Sequence, residues 1–167
     1  MDFKEFLRRF PKRQLPLALT SESRLDIQGE HDMADIPLDM VQQFLSFELQ
    51  DPEEAYYAEY LPCIHIEQPQ NANFEAVIYW TASIKGDRFR LCTFQKNGKL
   101  IDQLDFAGTH YEDSGLTYSV GTIDADWKAT VRSGLKALNS DAAFLQKGGL
   151  ELVYQIDVVG NMELVTA

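Results

Sequence analysis

The chain has 167 residues, 45% hydrophobic and 25% charged, ordinary proportions that exclude an intrinsically disordered chain and suffice for a core without disulfides or metals. With 15 basic against 26 acidic residues the formal net charge is −11, a balance that repels nucleic-acid phosphates and argues against a nucleic-acid partner. No apolar run approaches the roughly 18 residues of a membrane helix, and Met1 to Phe10 is too charged for a secretory signal, so a cytoplasmic protein with no membrane partner is expected.

In chain order, Phe3, Phe6, Leu7 and Phe10 fall at i, i+3, i+4 and i+7, the core face of a short helix capped by Asp2 and stopped by Pro11. Residues 11 to 35 read as an irregular connector with room for a short extended piece. Pro37 opens a second helix whose stripe is Leu38, Val41, Phe44, Leu45 and Leu49. Asp51-Pro52-Glu53-Glu54 repeats the start signal with capping-box spacing, predicting a third helix to about Tyr60.

From Tyr60 the runs are of strand length: Tyr60 to Glu67, Phe74 to Ile84, Arg88 to Gln95, Leu100 to Ala107, Leu116 to Ile123, Trp127 to Arg132, Leu150 to Val158 and Met162 to Val165. Their short connectors predict antiparallel neighbours in a meander. Asn97-Gly98 predicts a two-residue type I′ hairpin turn. Folding there sets Phe94 against Ile101, Leu91 against Leu104, Arg90 against Asp105 and Phe89 against Phe106. Leu135 to Gln146 is read as a helical turn or two. Phe74 to Ile84 is apolar at both parities, so helices cover one sheet face and curvature or a second layer covers the other. The expectation is an α+β fold in one domain, residues 1–60 mainly helical and 61–167 mainly β, with N-terminal helices on a curved, mainly antiparallel sheet.

Charge is uneven along this frame. Residues 1–14 carry Lys4, Arg8, Arg9, Lys12 and Arg13 against Asp2 and Glu5, a net of +3, whereas residues 22–59 carry eleven acids against Arg24, a net of −10. Such a segment is a solvated face or a docking face for a basic protein partner, with Asp51, Glu53 and Glu54 at its centre.

Chemical motifs are sparse. The chain has no Gly-Xaa-Ser-Xaa-Gly elbow, dinucleotide fingerprint, phosphate-binding loop, His-Glu-Xaa-Xaa-His or Cys-Xaa-Xaa-Cys, so no catalytic residue, metal or cofactor is assigned. Cys63 and Cys92 read as reduced core thiols. Cys63 and His65, two apart on a strand, would share a face. His65-Ile66-Glu67, His110-Tyr111-Glu112 and Glu30-His31-Asp32 are the remaining imidazole–carboxylate pairs. Tyr79 and Trp80, adjacent on a strand, must face opposite ways, and with His65 and Tyr118 they are the expected lining of a small-ligand pocket between helices and sheet.

The succession Phe6-Leu7 to Phe10-Pro11 with Leu15-Pro16-Leu17, then Glu59-Tyr60-Leu61-Pro62-Cys63, Val77-Ile78-Tyr79-Trp80 and Gly121-Thr122-Ile123-Asp124-Ala125-Asp126-Trp127 resembles small uncharacterised bacterial proteins of a Bacteroidetes type with no assigned activity. Ile36-Pro37-Leu38-Asp39, leading into an amphipathic helix before a sheet, is similar to the acidic immunity proteins that neutralise bacterial toxins. Neither resemblance assigns a functional residue. Together with the acidic segment they imply a non-enzymatic protein-interaction module, the pocket being the alternative.

Overall fold

The computed structural model describes residues 2–31, 33–69, 71–112, 115–136 and 149–166. Helix α1 (Phe3–Arg8) starts at Asp2, whose carboxylate accepts the Lys4 N–H at 3.1 Å, and it buries Phe3 and Phe6. The connector that follows holds two short strands, β1 (Lys12–Arg13) and β2 (Leu17–Leu19), and a helix, α2 (Ser23–Glu30). The helix was not legible because Ile27 alone is buried in it while Leu25 is 70% exposed, too little for a periodic stripe.

Beyond α2 the expected second helix is two pieces, α3 (Leu38–Phe44) and a 3-10 turn (Ser46–Leu49), with Leu45 at φ −124° between them. The helix is rotated so that Met40, Val41, Phe44 and Leu45 are buried and Leu38 is 61% exposed. Helix α4 (Pro52–Tyr56) ends before Tyr60, since β3 begins at Glu59.

Eight further strands follow: β3 (Glu59–Ile66), β4 (Glu75–Ser83), β5 (Gly86–Phe94), β6 (Leu100–Glu112), β7 (Gly115–Ile123), β8 (Lys128–Lys136), β9 (Leu150–Ile156) and β10 (Met162–Thr166). Leu135 therefore belongs to a strand, and the rest of the segment read as helical, 137–146, lies outside the described residues. Among the described residues the ten strands form one open sheet, antiparallel from β3 to β10, with β1 parallel to β3 at the edge and β2 beside the end of β7.

The hairpin of β5 and β6 has the expected centre, Leu91 opposite Leu104 and Arg90 opposite Asp105, but Phe94 faces Leu100 and Phe89 faces Ala107 because Ile101 and Phe106 are bulged out of register. Its turn is also a different one. Gly98 N–H donates to Gln95 O and Gln95 N–H to Lys99 O, with Gly98 at φ +92° and Asn97 not in the left-handed region. This is a type I turn closed by a left-handed glycine. A Cβ at Gly98 would lie 2.9 Å from the Phe3 ring, so the tip must be glycine for packing as well as for backbone geometry.

The sheet buries both faces of β3 to β5. On the outer face, Phe3, Phe6, Phe10 and Phe44 pack onto Val77, Tyr79, Cys92 and Phe94, with neighbouring rings at 4.9–5.9 Å. The inner face holds Leu61, Cys63, Ile64, Ile78, Trp80, Phe89, Leu91, Phe106 and Ile123. Tyr79 and Trp80 enter opposite cores, as alternation requires. The inner face is concave. Met162 N–H on β10 donates to Asp102 on β6 at 3.0 Å, although four strand spacings, about 19 Å, separate those strands along the sheet.

Leu91→Ala, at a fully buried inner position, is expected to destabilise by about 2–5 kcal/mol. At Gly121 an added Cβ would stand 2.4 Å from the Phe106 carbonyl oxygen, and Gly121→Ala is expected to cost about 1–3 kcal/mol. Urea unfolding measures both, and a wild-type midpoint for Leu91→Ala would contradict the inner core.

Candidate functional site

Along β4 and β5 the outer face changes from apolar to polar. On β4 it runs Val77, Tyr79, Thr81, Ser83, and on β5, read against it, Cys92, Arg90, Arg88, Gly86. The apolar end lies under α1 and α3. At the polar end the 3-10 turn and α4 border a half-open cavity of about 220 Å³ over β3 to β7. Thr81, Ser83, Thr117 and Ser119 line its sheet side, Glu48, Glu54 and Ala58 its helical side, and Arg88 and Asp105 lie between.

Local chemistry fixes α4 there. Pro52 starts the helix, and the Asp51 carboxylate accepts the N–H groups of Glu53 and Glu54 at 3.1 and 3.3 Å. The Glu54 N–H, with Lys85 at 3.3 Å, holds the Asp51 carboxyl below its usual range. Glu54 has the spacing to complete a capping box. Its carboxylate instead accepts from Ser83 Oγ at 2.8 Å, tying the helix to β4.

Glu48, 5% exposed at its side chain, is the buried charge of the site. It accepts the Tyr79 hydroxyl proton and lies 3.1 Å from Arg90 Nε. Arg90 continues to Gln103 at 2.7 Å and to Asp105 at 3.0 Å. Arg88 differs. Its nearest carboxylate oxygens, on Glu48, Glu54 and Asp105, are 3.6–3.7 Å away. Its Nε, like that of Arg90, is buried with no hydrogen-bond partner among the described residues. Each of those carboxylates has a closer partner: Arg90 for Glu48 and Asp105, Ser83 for Glu54. The guanidinium is compensated in charge yet has unspent donors, an arrangement suited to an incoming acceptor.

The residues singled out in the sequence scatter. Glu54 lines the cavity, Asp51 caps α4, and Glu53 is exposed. Tyr79 lies under Glu48 in the outer core, and Trp80 is in the inner core, its Nε1–H donating to Asp87 at 3.2 Å beneath the Arg24 guanidinium. Tyr118 pairs with Thr109 and Gly134, one register step from Thr117 and Ser119, hence on the opposite sheet face. His65 lies at the other end of β3, 2.8 Å from Glu75, which also binds Lys96 at 2.6 Å. The hydrogen bond from His65, aided by Lys96, holds the Glu75 carboxyl below its usual range.

Cys63 and His65 do not share a face. The register shifts between Pro62 and Ile64, so Cys63 and Ile64 both enter the inner core and His65 falls on the outer side with Val77. Glu67, the expected partner of His65, accepts instead from Gln14 at 3.0 Å. Among the described residues no three of His, Cys, Asp and Glu converge as a metal site requires. What sequence reasoning missed is Glu48, Arg88 and Asp105. The available signal was a pair of arginines two apart, Arg88 and Arg90, interleaved with Phe89 and Leu91.

Burial raises the Cys63 thiol from 9.0 to about 12 and, with Glu48, the Tyr60 hydroxyl from 10.0 to about 12, and it raises Cys92 and Tyr79 as well. The unfolded chain releases these protons first, so stability is fully present below about pH 9 and is lost as pH climbs toward 12. The urea midpoint is expected to fall between about pH 8 and about pH 11, with both thiols reactive only on unfolding. A flat midpoint across that window would contradict the burial of these groups. Comparison with protein-family models, with curated proteins and with solved structures finds no match.

Proposed function

We propose that this protein binds a small polar molecule in the cavity between α4 and the outer face of the sheet. The observation that carries the reading is Arg88, held among carboxylates at distances too long for hydrogen bonds and lining a half-open cavity. A guanidinium with unmade hydrogen bonds is an anchor at low reorganisation cost. At about 220 Å³ the cavity is below the roughly 300–1,000 Å³ of drug-sized sites, which suits a small metabolite.

A second reading, the acidic docking face, is supported by the acids outside these pairings. Asp35, Asp39, Glu53 and Glu59 stay exposed around the outer helical layer, whereas Asp51 and Glu54 are engaged by Lys85. That face suits a basic protein. Asp35→Lys, Asp39→Lys and Glu53→Lys together should abolish salt-sensitive retention on an immobilised basic protein while leaving cavity binding unchanged.

The cavity reading is tested by thermal shift against free amino acids, monosaccharides, hydroxy acids and polyamines. At least one class is expected to raise the melting temperature of the wild type. Thr117→Trp, which fills the sheet side of the cavity, should remove that response. A response identical in wild type and Thr117→Trp, or none in any class, overturns the reading.

A further inference from the structure

We propose that the ligand is a free α-amino acid, its carboxylate on Arg88 and its ammonium on the carboxylates of Asp105 and Glu54. This deepens the cavity reading and rests on it.

The donors come first. Arg88 is 27% exposed at its side chain and lines the cavity, and its three neighbouring carboxylates are each claimed more closely by another group. A planar carboxylate matches the guanidinium fork and can take up its unmade bonds in pairs. The acceptors adjoin it. Asp105 is 61% exposed at its side chain, and its contacts with both arginines fall on Oδ1, so Oδ2 remains as an acceptor. Glu54 also adjoins Arg88, at 3.7 Å, with Lys85 at 3.8 Å.

Charge balance then narrows the class. Lys85, Arg88 and Arg90 face Glu48, Glu54 and Asp105, three cations against three carboxylates, the Asp87 carboxylate being turned to the inner face toward Trp80 and Thr109. A dianionic phosphate or a monoanion would bring uncompensated negative charge into a site whose own charges already cancel. A lone amine would leave the Arg88 donors unused. A zwitterion adds no net charge and uses both sets of groups. Spacing selects the α form, because Arg88 Nε and Asp105 Oδ1 are 3.6 Å apart and partners that adjoin require ligand charges on adjacent carbons. The small hydroxyl side chains of Thr81, Ser83, Thr117 and Ser119 on the sheet side leave room for a short, polar ligand side chain.

The test is isothermal titration of the whole protein with L-serine, with its single-charge halves 3-hydroxypropionate and ethanolamine, with the other common amino acids, and with glucose and inorganic phosphate. One or more amino acids should bind, with L-serine at least about tenfold tighter than either half, the scale of one lost charged hydrogen bond. Arg88→Lys keeps the charge and loses the fork, and Asp105→Asn keeps the shape and loses the charge. Each should weaken amino-acid binding by about tenfold or more. Asp105 is exposed, so its variant remains a fair test if Arg88→Lys lowers the urea midpoint. Halves that bind as tightly as L-serine overturn the proposal. Glucose or phosphate binding that Thr117→Trp abolishes, with no amino acid bound, overturns it while the cavity reading survives. Silence from every probe overturns both.

Discussion

Strands β4 and β5 bury side chains on both faces, and the remaining architecture answers that demand. A strand apolar on one face needs one cover, whereas Val77, Tyr79, Cys92 and Phe94 on one side with Ile78, Trp80, Phe89 and Leu91 on the other need two. The N-terminal helices supply the outer cover. The sheet supplies the inner one by curling until β10 reaches β6 and Phe74 meets Trp127 at 5.2 Å between ring centroids.

Bulges provide the curl. At Cys63-Ile64, Ile101-Asp102 and Phe106-Ala107 the register slips by one residue and two consecutive residues turn to the same, inner side. An extra inward residue bends and twists its strand. The cavity is the counterpart on the other face. The alternation continues past the edge of the helical cover into Thr81, Ser83 and Arg88, where the sheet no longer has an apolar layer to bury. Arg88 shares a buried Nε without a partner among the described residues with Arg9, Arg24 and Arg90, but it alone of these lines the cavity with every neighbouring carboxylate beyond hydrogen-bond distance.

The strands were legible because alternation and turn residues are local signals, and every predicted run from Tyr60 onward holds a strand within a few residues. The cap at Asp51 and the face of α1 were legible for the same reason. The bulges were not, since a bulge is a tertiary response to curvature that leaves no mark in composition. Missing them misplaced His65 relative to Cys63 and Ile101 relative to Phe94. The site was illegible for a related reason: Glu48, Arg88 and Asp105 lie 40 and 17 residues apart, and only the packing of the 3-10 turn over β5 and β6 brings them together.

The contact between Phe3 and the Gly98 turn places the start of the chain against a hairpin made much later. During synthesis, α1 and α3 emerge with Phe3, Phe6 and Phe44 bare, because Phe94 and Gly98, which cover them, follow some fifty to ninety residues behind. Helices of six and seven residues do not persist alone in water. The N-terminal segment is therefore ordered by the sheet and not before it, and the nascent chain spends the interval as an aggregation-prone, chaperone-accessible stretch of aromatic side chains.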